Sequence, residues 1–360
     1  MPDLFEDLCG FENLWEAARR ARRGKRYKHA AAAFHHDLPA ELVKLQDELR
    51  SRTYRPGPYT TFRIQEPKPR MISAAPYRDR VVHHALCNVI EPVFERSFLY
   101  DSYANRIGKG THKALDRCTE YCRKYDYVLQ CDIRQFFPSI DHDILFDILC
   151  RRVRNPGVRW LMRLILDHSN EQPEAAFYFP GDDLFTPFER RRGLPIGNLT
   201  SQFWANIYLN GLDHYLKDDL GVPGYIRYVD DLLLFANSKA CLHEYRRLAA
   251  LRLDALRLQL HPVKTRIQAT RDGVAFLGFR VYRTHRRLLP HSGHRASRRL
   301  RRLIQEHDSK AMLLADAGTS VRAWIAHAAN GNTYGLRRSM LSDAVFRARG
   351  HDPRRVVEQQ

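Results

Sequence analysis

Residues 225–235, YIRYVDDLLLF, set two adjacent carboxylates, Asp230 and Asp231, inside an apolar run. Burying charge is unfavourable unless something compensates it. Strand-forming residues flank the pair on both sides, so the stretch reads as strand–turn–strand with both acids at a hairpin tip. Like charges held that close require a cation, and a hard divalent ion with oxygen ligands suits them. Two other Asp-Asp pairs lack this setting. Asp182-Asp183 lies in a Gly- and Pro-rich loop and Asp218-Asp219 at a helix end just before GVPG, and both read as solvated.

One pair of acids is an incomplete site. Residues 128–137, VLQCDIRQFF, supply a third, Asp132, at the end of a short apolar strand and just before a Pro-bounded turn. Two strands ending in Asp132 and in Asp230 and Asp231 can share a sheet edge. There they can hold two Mg²⁺ ions about 3.5–4 Å apart, the arrangement that drives in-line phosphoryl transfer. The bland alternative is that Asp132 only caps a turn.

The totals agree with a phosphate-bearing partner. Across 360 residues the net charge is +18, an excess that favours polyanions and nucleic acid above all. An apolar content of 44% and aromatic content of 11% provide for a folded core. The seven cysteines are scattered; Cys118 and Cys122 stand four apart with no second pair at zinc-ligand spacing. That pattern suits reduced thiols. The opening MPDLFEDLCGFENLWEAARR is acidic where a signal peptide is basic, and no run approaches a membrane span. The expectation is a soluble, cytoplasmic protein without a membrane partner.

The coarse organisation is α+β, with helices at both ends and short antiparallel strands between them. Residues 11–50 read as two amphipathic helices around a basic link. Thr60, Phe62 and Ile64 alternate as a strand, and 77–95 returns to helical spacing. Helices are expected over 142–167, 199–220 and 240–259, with two short strands around VAFLGFRVY. The remainder, 285–360, is Arg-rich and helical. His35-His36 and His83-His84 point apart on their helices and read as surface or packing residues.

YVDD in a hairpin, with an Asp at a strand end followed by Phe-Phe, resembles the palm of a reverse transcriptase. Further blocks follow the same order: PKPRMISAAPYRDRVVHHAL (67–86), SYANRIGKGTHKAL (102–115), GLPIGNLTSQFWANIYLNGLD (193–213), LQLHPVKT (258–265), FLGFRV (276–281) and NTYGLRR (332–338). Group II intron and retron enzymes usually carry Gln-Gly and Ser-Pro in the palm-helix block. Here the pairs are Ile196-Gly197 and Ser201-Gln202, a pattern similar to reverse transcriptases of diversity-generating retroelements.

The resemblance implies a right-hand polymerase with fingers, palm and helical thumb. The boundaries it suggests are a basic helical extension at 1–55, fingers at 56–124, palm at 125–150 and 193–283, an insertion at 151–192, and thumb with basic tail at 284–360. It implies Asp132, Asp230 and Asp231 as catalytic ligands of two Mg²⁺ ions, with Mn²⁺ as a substitute. Lys68 and Arg70 would clamp the triphosphate, and Phe137 would form the steric gate against a 2′-hydroxyl. Lys264 would support the nucleotide site, as an acid or as a fixed charge. Gln202 would lie at the nucleotide, and Ile196, with no polar group to offer the template, would loosen base-pair checking. Arg106 and Lys109 fall in the template-contacting block. Arg295, Arg298, Arg299, Arg301 and Arg302 are too closely spaced to share one helix face, so some would track phosphates while others meet solvent. Trp324 and Tyr334 could stack on bases or anchor thumb helices, and core is the favoured reading.

The implied partners are template RNA, an RNA/DNA heteroduplex, dNTPs and a small basic accessory protein. The implied activity is synthesis of cDNA from a template-repeat RNA, with errors at template adenines, for replacement of a variable region in a target gene. Two alternatives stand beside it: a retron-like or abortive-infection reverse transcriptase, and a non-catalytic RNA-binding scaffold.

Overall fold

The apolar face of one helix and the break that ends it recur as the organising device at the N-terminus. The computed structural model describes residues 3–65, 69–170, 177–309, 311–342, 344 and 346. In chain order the elements begin with α1 (Leu4–Cys9), α2 (Phe11–Arg22), α3 (His29–His36) and α4 (Leu38–Arg50). The two helices expected over 11–50 are therefore three, with α1 ahead of them. An extended Gly10 divides the first pair, and Pro39 in the first turn of α4 starts the last. Leu14, Ala17, Ala18 and Ala21 form the buried stripe of α2, small enough for close approach to α5 (Tyr77–Glu95). Asn13 closes that contact by donating to the Ala85 carbonyl.

Between them lies the antiparallel hairpin β1 (Thr60–Ile64) and β2 (Arg70–Ala74), paired Thr60 to Ala74 through Ile64 to Arg70. After α6 (Thr111–Lys124) come β3 (Tyr127–Asp132), the single turn α7 (Phe136–Ser139), α8 (His142–Arg152) and α9 (Pro156–Asp167). The last two divide a stretch expected to be helical throughout. Asn155 caps α9 through the Gly157 and Val158 amides and Pro156 takes its first position, so the chain restarts there.

The short α10 (Thr186–Glu189) precedes α11 (Leu199–His214), which ends in a π-helical turn at Tyr215–Asp219. Next are β4 (Gly224–Tyr228), β5 (Asp231–Ala236), α12 (Lys239–Asp254), β6 (Arg266–Ala269), β7 (Val274–Phe276), β8 (Phe279–Val281) and β9 (Arg286–Leu288). The chain closes on α13 (Pro290–Asp308), α14 (Leu314–Ala328) and α15 (Tyr334–Ser342). The class is α+β.

Two compact units divide the chain: Met1–Gly110 with Leu129–Ile267, and Thr111–Val128 with Gln268–Gln360. In the first, a sheet ordered β4-β5-β3-β6 is backed by α11, which is buried nearly all round, as a helix enclosed by other elements must be. The Asp182 carboxylate, expected in solvent, instead accepts from the Phe179 amide and pairs with Arg190, both side chains under a tenth exposed. A carboxylate this little exposed is tolerated because Arg190 and the Phe179 amide compensate its charge.

In the second unit, β7-β8-β9 form an antiparallel sheet. Arg286 of β9 reaches Asp116 and Thr119 of α6 at 2.6 and 2.8 Å. Trp324 is half-buried beside Leu300, Leu303 and Val321, whereas Tyr334 is 72% exposed and not core, because it opens the first turn of α15, which buries no side chain fully. No described helix is long and apolar enough to cross a membrane.

Candidate active site

The hairpin of β4 and β5 is in register from Gly224–Phe235 to Tyr228–Asp231, leaving Val229 and Asp230 as a two-residue turn. Tyr225, Ile226, Leu232, Leu233, Leu234 and Phe235 are fully buried or nearly so. Apolar burial on both faces thus drives the acids to the tip. Val229 has φ of 57°, in the left-handed region that a β-branched side chain rarely adopts. Such a conformation costs about 1–3 kcal/mol and persists only where surrounding contacts impose it.

Asp132 reaches the same place from the end of β3. The chain returning from α12 pairs alongside it: the Arg134 amide donates to the Gln259 carbonyl at 2.8 Å and the His261 amide to the Asp132 carbonyl at 2.7 Å. A turn then brings Lys264 back, and its Nζ lies 2.5 Å from Asp132 Oδ2.

The electrostatics tie these residues together. Burial raises the Asp230 carboxyl above the usual range, and the negative charge of Asp132 raises it further; Arg70 and Lys264 act in the opposite sense. Two anions and two cations therefore share one field. Hard carboxylate oxygens under mutual repulsion fit a divalent cation, and the Lys264 ammonium is a positive charge already seated on one of them. Among the described residues no three His, Cys, Asp or Glu side chains are gathered into a ligand group. The structure brings Asp132 and Asp230 into one field. Asp231 heads β5, opposite Tyr228 and next in the chain to Asp230.

Around this centre the two adjacent phenylalanines separate. Phe136 is 3% exposed and belongs to the core, while Phe137 is half-exposed, its ring centroid 5.4 Å away at 62°. Gln135 in the left-handed conformation turns the chain between Asp132 and this pair. The Phe137 carbonyl accepts from Leu194, which leads into the loop at 193–198.

That loop is stitched to β2. The Ser73 amide donates to the Ile196 carbonyl at 2.9 Å, the Ala75 amide to Asn198 Oδ1 at 3.3 Å, and Asn198 Nδ2 to the Ser73 carbonyl at 3.3 Å. The buried Asn198 amide thereby stands in for a peptide group of a neighbouring strand. Gly197, at φ of 121°, would be strained by any side chain, and a Cβ would also press on Ile72 Cγ2 at 3.0 Å. Ile196 is half-buried and Gln202 exposed in the first turn of α11. Arg70, exposed, opens β2; Lys68 lies outside the described residues.

Residues 64–281 match the reverse transcriptase (RNA-dependent DNA polymerase) family. The chain belongs to this family. It is one of RNA-directed DNA polymerases, divalent-metal enzymes acting on template RNA and nucleotides. The chain is 26% identical over 292 residues to protein YkfC of Escherichia coli K12, covering 69% of this chain and 73% of that one. It is 23% identical over 218 residues to the group II intron-encoded protein LtrA of Lactococcus lactis, covering 60% and 34%. A putative COX1/OXI3 intron 2 protein of Saccharomyces cerevisiae is 24% identical over 181 residues, 49% and 20% of the two chains. The chain therefore spans well under two thirds of both intron-named relatives. Among solved structures, apo telomerase from Candida tropicalis aligns with a TM-score of 0.47 and 10% identity over 63% of this chain and 47% of that one.

Not every cation assigned to nucleic acid in this reverse transcriptase is free for it. The Arg106 side chain is 6% exposed; it binds Glu95 and the carbonyls of Leu99 and Ser102, and lies over the Phe98 ring. Its guanidinium is committed to closing its own loop, which corrects the expectation that it meets template. Lys109 is half-buried, its ammonium held over the Tyr100 ring and on the Tyr100 carbonyl.

Within the second unit, Arg299 of α13 turns to Ser320 of α14, and half-exposed Arg295 to Ser292. Arg298, Arg301 and Arg302, at i, i+3 and i+4, share one exposed face. Two further features of the site escaped sequence reading: the Asn198 bridge and a buried ion pair between Arg227 and Asp213 beneath the hairpin. Asn198 stood in a recognised block, but nothing along the chain marked its partner strand. Arg227 was visible as a charge inside an apolar run and was passed over beside the two acids.

Proposed function

We propose that this reverse transcriptase copies a template-repeat RNA into cDNA, with errors at template adenines, for diversification of a target gene. The observation that carries the polymerase reading is the shared field of Asp132 and Asp230, 98 residues apart in the chain, around which Lys264 and Arg70 gather. Asp132, Asp230 and Asp231 would hold two Mg²⁺ ions, or Mn²⁺ in their place. When bound, these ions supply Lewis-acid activation of the primer 3′-hydroxyl and neutralise charge on the leaving pyrophosphate.

The chain's own groups do the rest. Arg70, with Lys68, clamps the triphosphate from the β1–β2 hairpin. Lys264 holds positive charge beside Asp132 and steadies the same phosphates as charge builds on them. The half-exposed Phe137 ring occupies the space that a 2′-hydroxyl would need. The exposed face of Arg298, Arg301 and Arg302 tracks the phosphates of the RNA/DNA heteroduplex. A small basic accessory protein would complete the assembly.

The diversity-generating role rests on Ile196 and Gln202 in the loop and helix next to the nucleotide. The retron-like or abortive-infection alternative has no particular relative behind it. An intron-type enzyme with an even error spectrum is a second reading, favoured by the similarity to intron-encoded proteins. Primer extension with the full chain, an RNA template, Mg²⁺ and four dNTPs, followed by product sequencing, separates the readings. Errors concentrated at template adenines support the first; an even, low error spectrum favours the second. Full incorporation by Asp230→Ala would remove the polymerase site as assigned.

A further inference from the structure

Beneath the hairpin tip lies a charge pair that no catalytic role accounts for. Arg227 and Asp213 are both fully buried. They meet in a two-point fork, Nε to Oδ1 and Nη2 to Oδ2, each 2.7 Å. The Tyr225 hydroxyl donates to the same carboxylate at 2.6 Å. Replacing such a pair by apolar side chains of equal volume is often neutral or stabilising, so stability alone is a weak reason for it. What a guanidinium provides and an apolar side chain does not is direction, through five donors in a rigid plane.

The remaining donors of Arg227 are aimed at two places. Nη1 donates to Asn206 Oδ1 at 2.9 Å and to the Val229 carbonyl at 3.3 Å. Val229 is the left-handed residue of the turn, and the next residue is Asp230. Asn206 in turn donates through Nδ2 to the Ala104 carbonyl at 2.8 Å. The backbone of Arg227 is bound to the same segment, its amide to the Asp101 carbonyl at 2.9 Å and its carbonyl to the Tyr103 amide at 3.0 Å. One residue therefore touches β4, α11, the 101–104 segment and the strained turn.

We propose that Arg227 is a positioning residue for the catalytic hairpin. Clamped by Asp213 and Asn206, its guanidinium holds the Val229 carbonyl and so sets where Asp230 stands, while Asn206 and Ala104 tie that placement to the 101–104 segment. The inference rests on reading Asp132 and Asp230 as the metal-binding acids. Lysine at 227 keeps the charge opposite Asp213 but, as a single ammonium, cannot reach Asp213, Asn206 and Val229 together.

The test uses the full chain as Arg227→Lys and Asn206→Ala, beside Asp230→Asn as control. Three quantities are read: Mn²⁺ affinity of the protein without substrates by electron paramagnetic resonance, kcat and KM for dNTP, and RNA affinity. Each variant is measured ten degrees below its own melting midpoint. Arg227→Lys is expected to weaken Mn²⁺ binding and lower kcat by about tenfold each, the usual effect of losing an outer support of a ligand. KM and RNA affinity should stay at the parent values. Asn206→Ala should move the same two quantities in the same direction by a smaller factor, and it carries the test if Arg227→Lys does not fold. Parent-like Mn²⁺ affinity and kcat in a folded variant overturn the inference while leaving the site reading intact. Parent-like Mn²⁺ affinity in Asp230→Asn overturns the site reading itself, and the inference with it.

Discussion

Lys264 Nζ lies 2.5 Å from Asp132 Oδ2, and the charge of the same ammonium also reaches Asp230. A lysine that neutralises two acids competes with any metal cation for them, yet keeps positive charge at the site as chemistry proceeds. These two effects act in opposite directions and can be separated. Lys264→Met should tighten Mn²⁺ binding to the protein alone several-fold, because a competing cation is gone. The same change should slow single-turnover incorporation about 10²-fold if the ammonium stabilises the leaving group. Electron paramagnetic resonance reads the first and rapid-quench primer extension the second. Unchanged metal affinity would remove the competition argument.

The two rings at 136 and 137 are predicted to fail differently. Phe136→Ala removes a buried ring and should cost about 3–5 kcal/mol in unfolding free energy, with sugar discrimination intact. Phe137→Ala removes a half-exposed ring and should cost much less. Its effect should instead be an increase of about tenfold or more in rNTP incorporation relative to dNTP, as expected when a steric barrier is lifted. Denaturant melts together with paired dNTP and rNTP extension assays distinguish them. Equal sugar discrimination in both variants would take Phe137 out of the nucleotide pocket.

What could be read along the chain depended on how local each residue's partners are. Asp230 and Asp231 announce a hairpin tip because strand-forming residues flank them, and Asp132 announces a strand end in the same way. Arg106 misleads for a complementary reason: it stands in a basic, glycine-containing loop, but Glu95, eleven residues back, captures its guanidinium. Asn198 and Ser73 are 125 residues apart, and only folding makes one the strand partner of the other. Arg227 and Asp213 show a pattern of charge in apolar surroundings, yet the pairing is set by the packing of α11 on β4. Two helix breaks carried a local mark, Pro39 and Pro156 in the first turns of α4 and α9, yet each lies inside a stretch whose apolar spacing reads as continuous helix. Tyr334 shows the limit of composition: an aromatic in a helical segment has no obligation to be core.

Acid should destabilise the protein through His83. Burial in α5 first, then the neighbouring His84 and Arg80, lower its folded pKa from 6.5 to about 3. The folded state therefore resists a proton that the unfolded state accepts below 6.5. The contribution is present above 6.5 and is lost as pH falls from there toward 3, by about 1.4 kcal/mol per pH unit. Between pH 7 and pH 5 the loss from this residue is about 2 kcal/mol. Urea denaturation at both values should show it, and His83→Phe should flatten the dependence. An unchanged slope in that variant would assign the acid sensitivity elsewhere.

The exposed arginine face of α13 predicts a salt signature. If Arg298, Arg301 and Arg302 each neutralise one phosphate, the triple alanine variant should bind single-stranded RNA with a log–log salt slope shallower by about 2. Arg299→Ala, whose guanidinium is turned to Ser320, should leave the slope nearly unchanged. Fluorescence anisotropy across a salt series reads both. A triple variant with the parent slope would take these side chains off the nucleic-acid path.

Fidelity is predicted to depend on position 196, and the anchoring of its loop supplies the control. Ile196 uses its backbone carbonyl to hold the Ser73 amide, so its side chain is free to be changed without untying the loop from β2. Its half-buried aliphatic side chain offers no hydrogen bond, whereas glutamine offers both a donor and an acceptor. Ile196→Gln should lower misincorporation at template adenines about tenfold, equivalent to about 1.4 kcal/mol of added discrimination, with incorporation at other bases little changed. Asn198→Ala should behave otherwise. It leaves the Ala75 amide and the Ser73 carbonyl without a side-chain partner, so it should reduce stability by about 1–3 kcal/mol and raise KM for every dNTP alike by loosening β2, which carries Arg70. Product sequencing and steady-state kinetics on one template separate a base-specific from a general effect. An adenine error rate indifferent to Ile196→Gln would remove this side chain from base-pair checking.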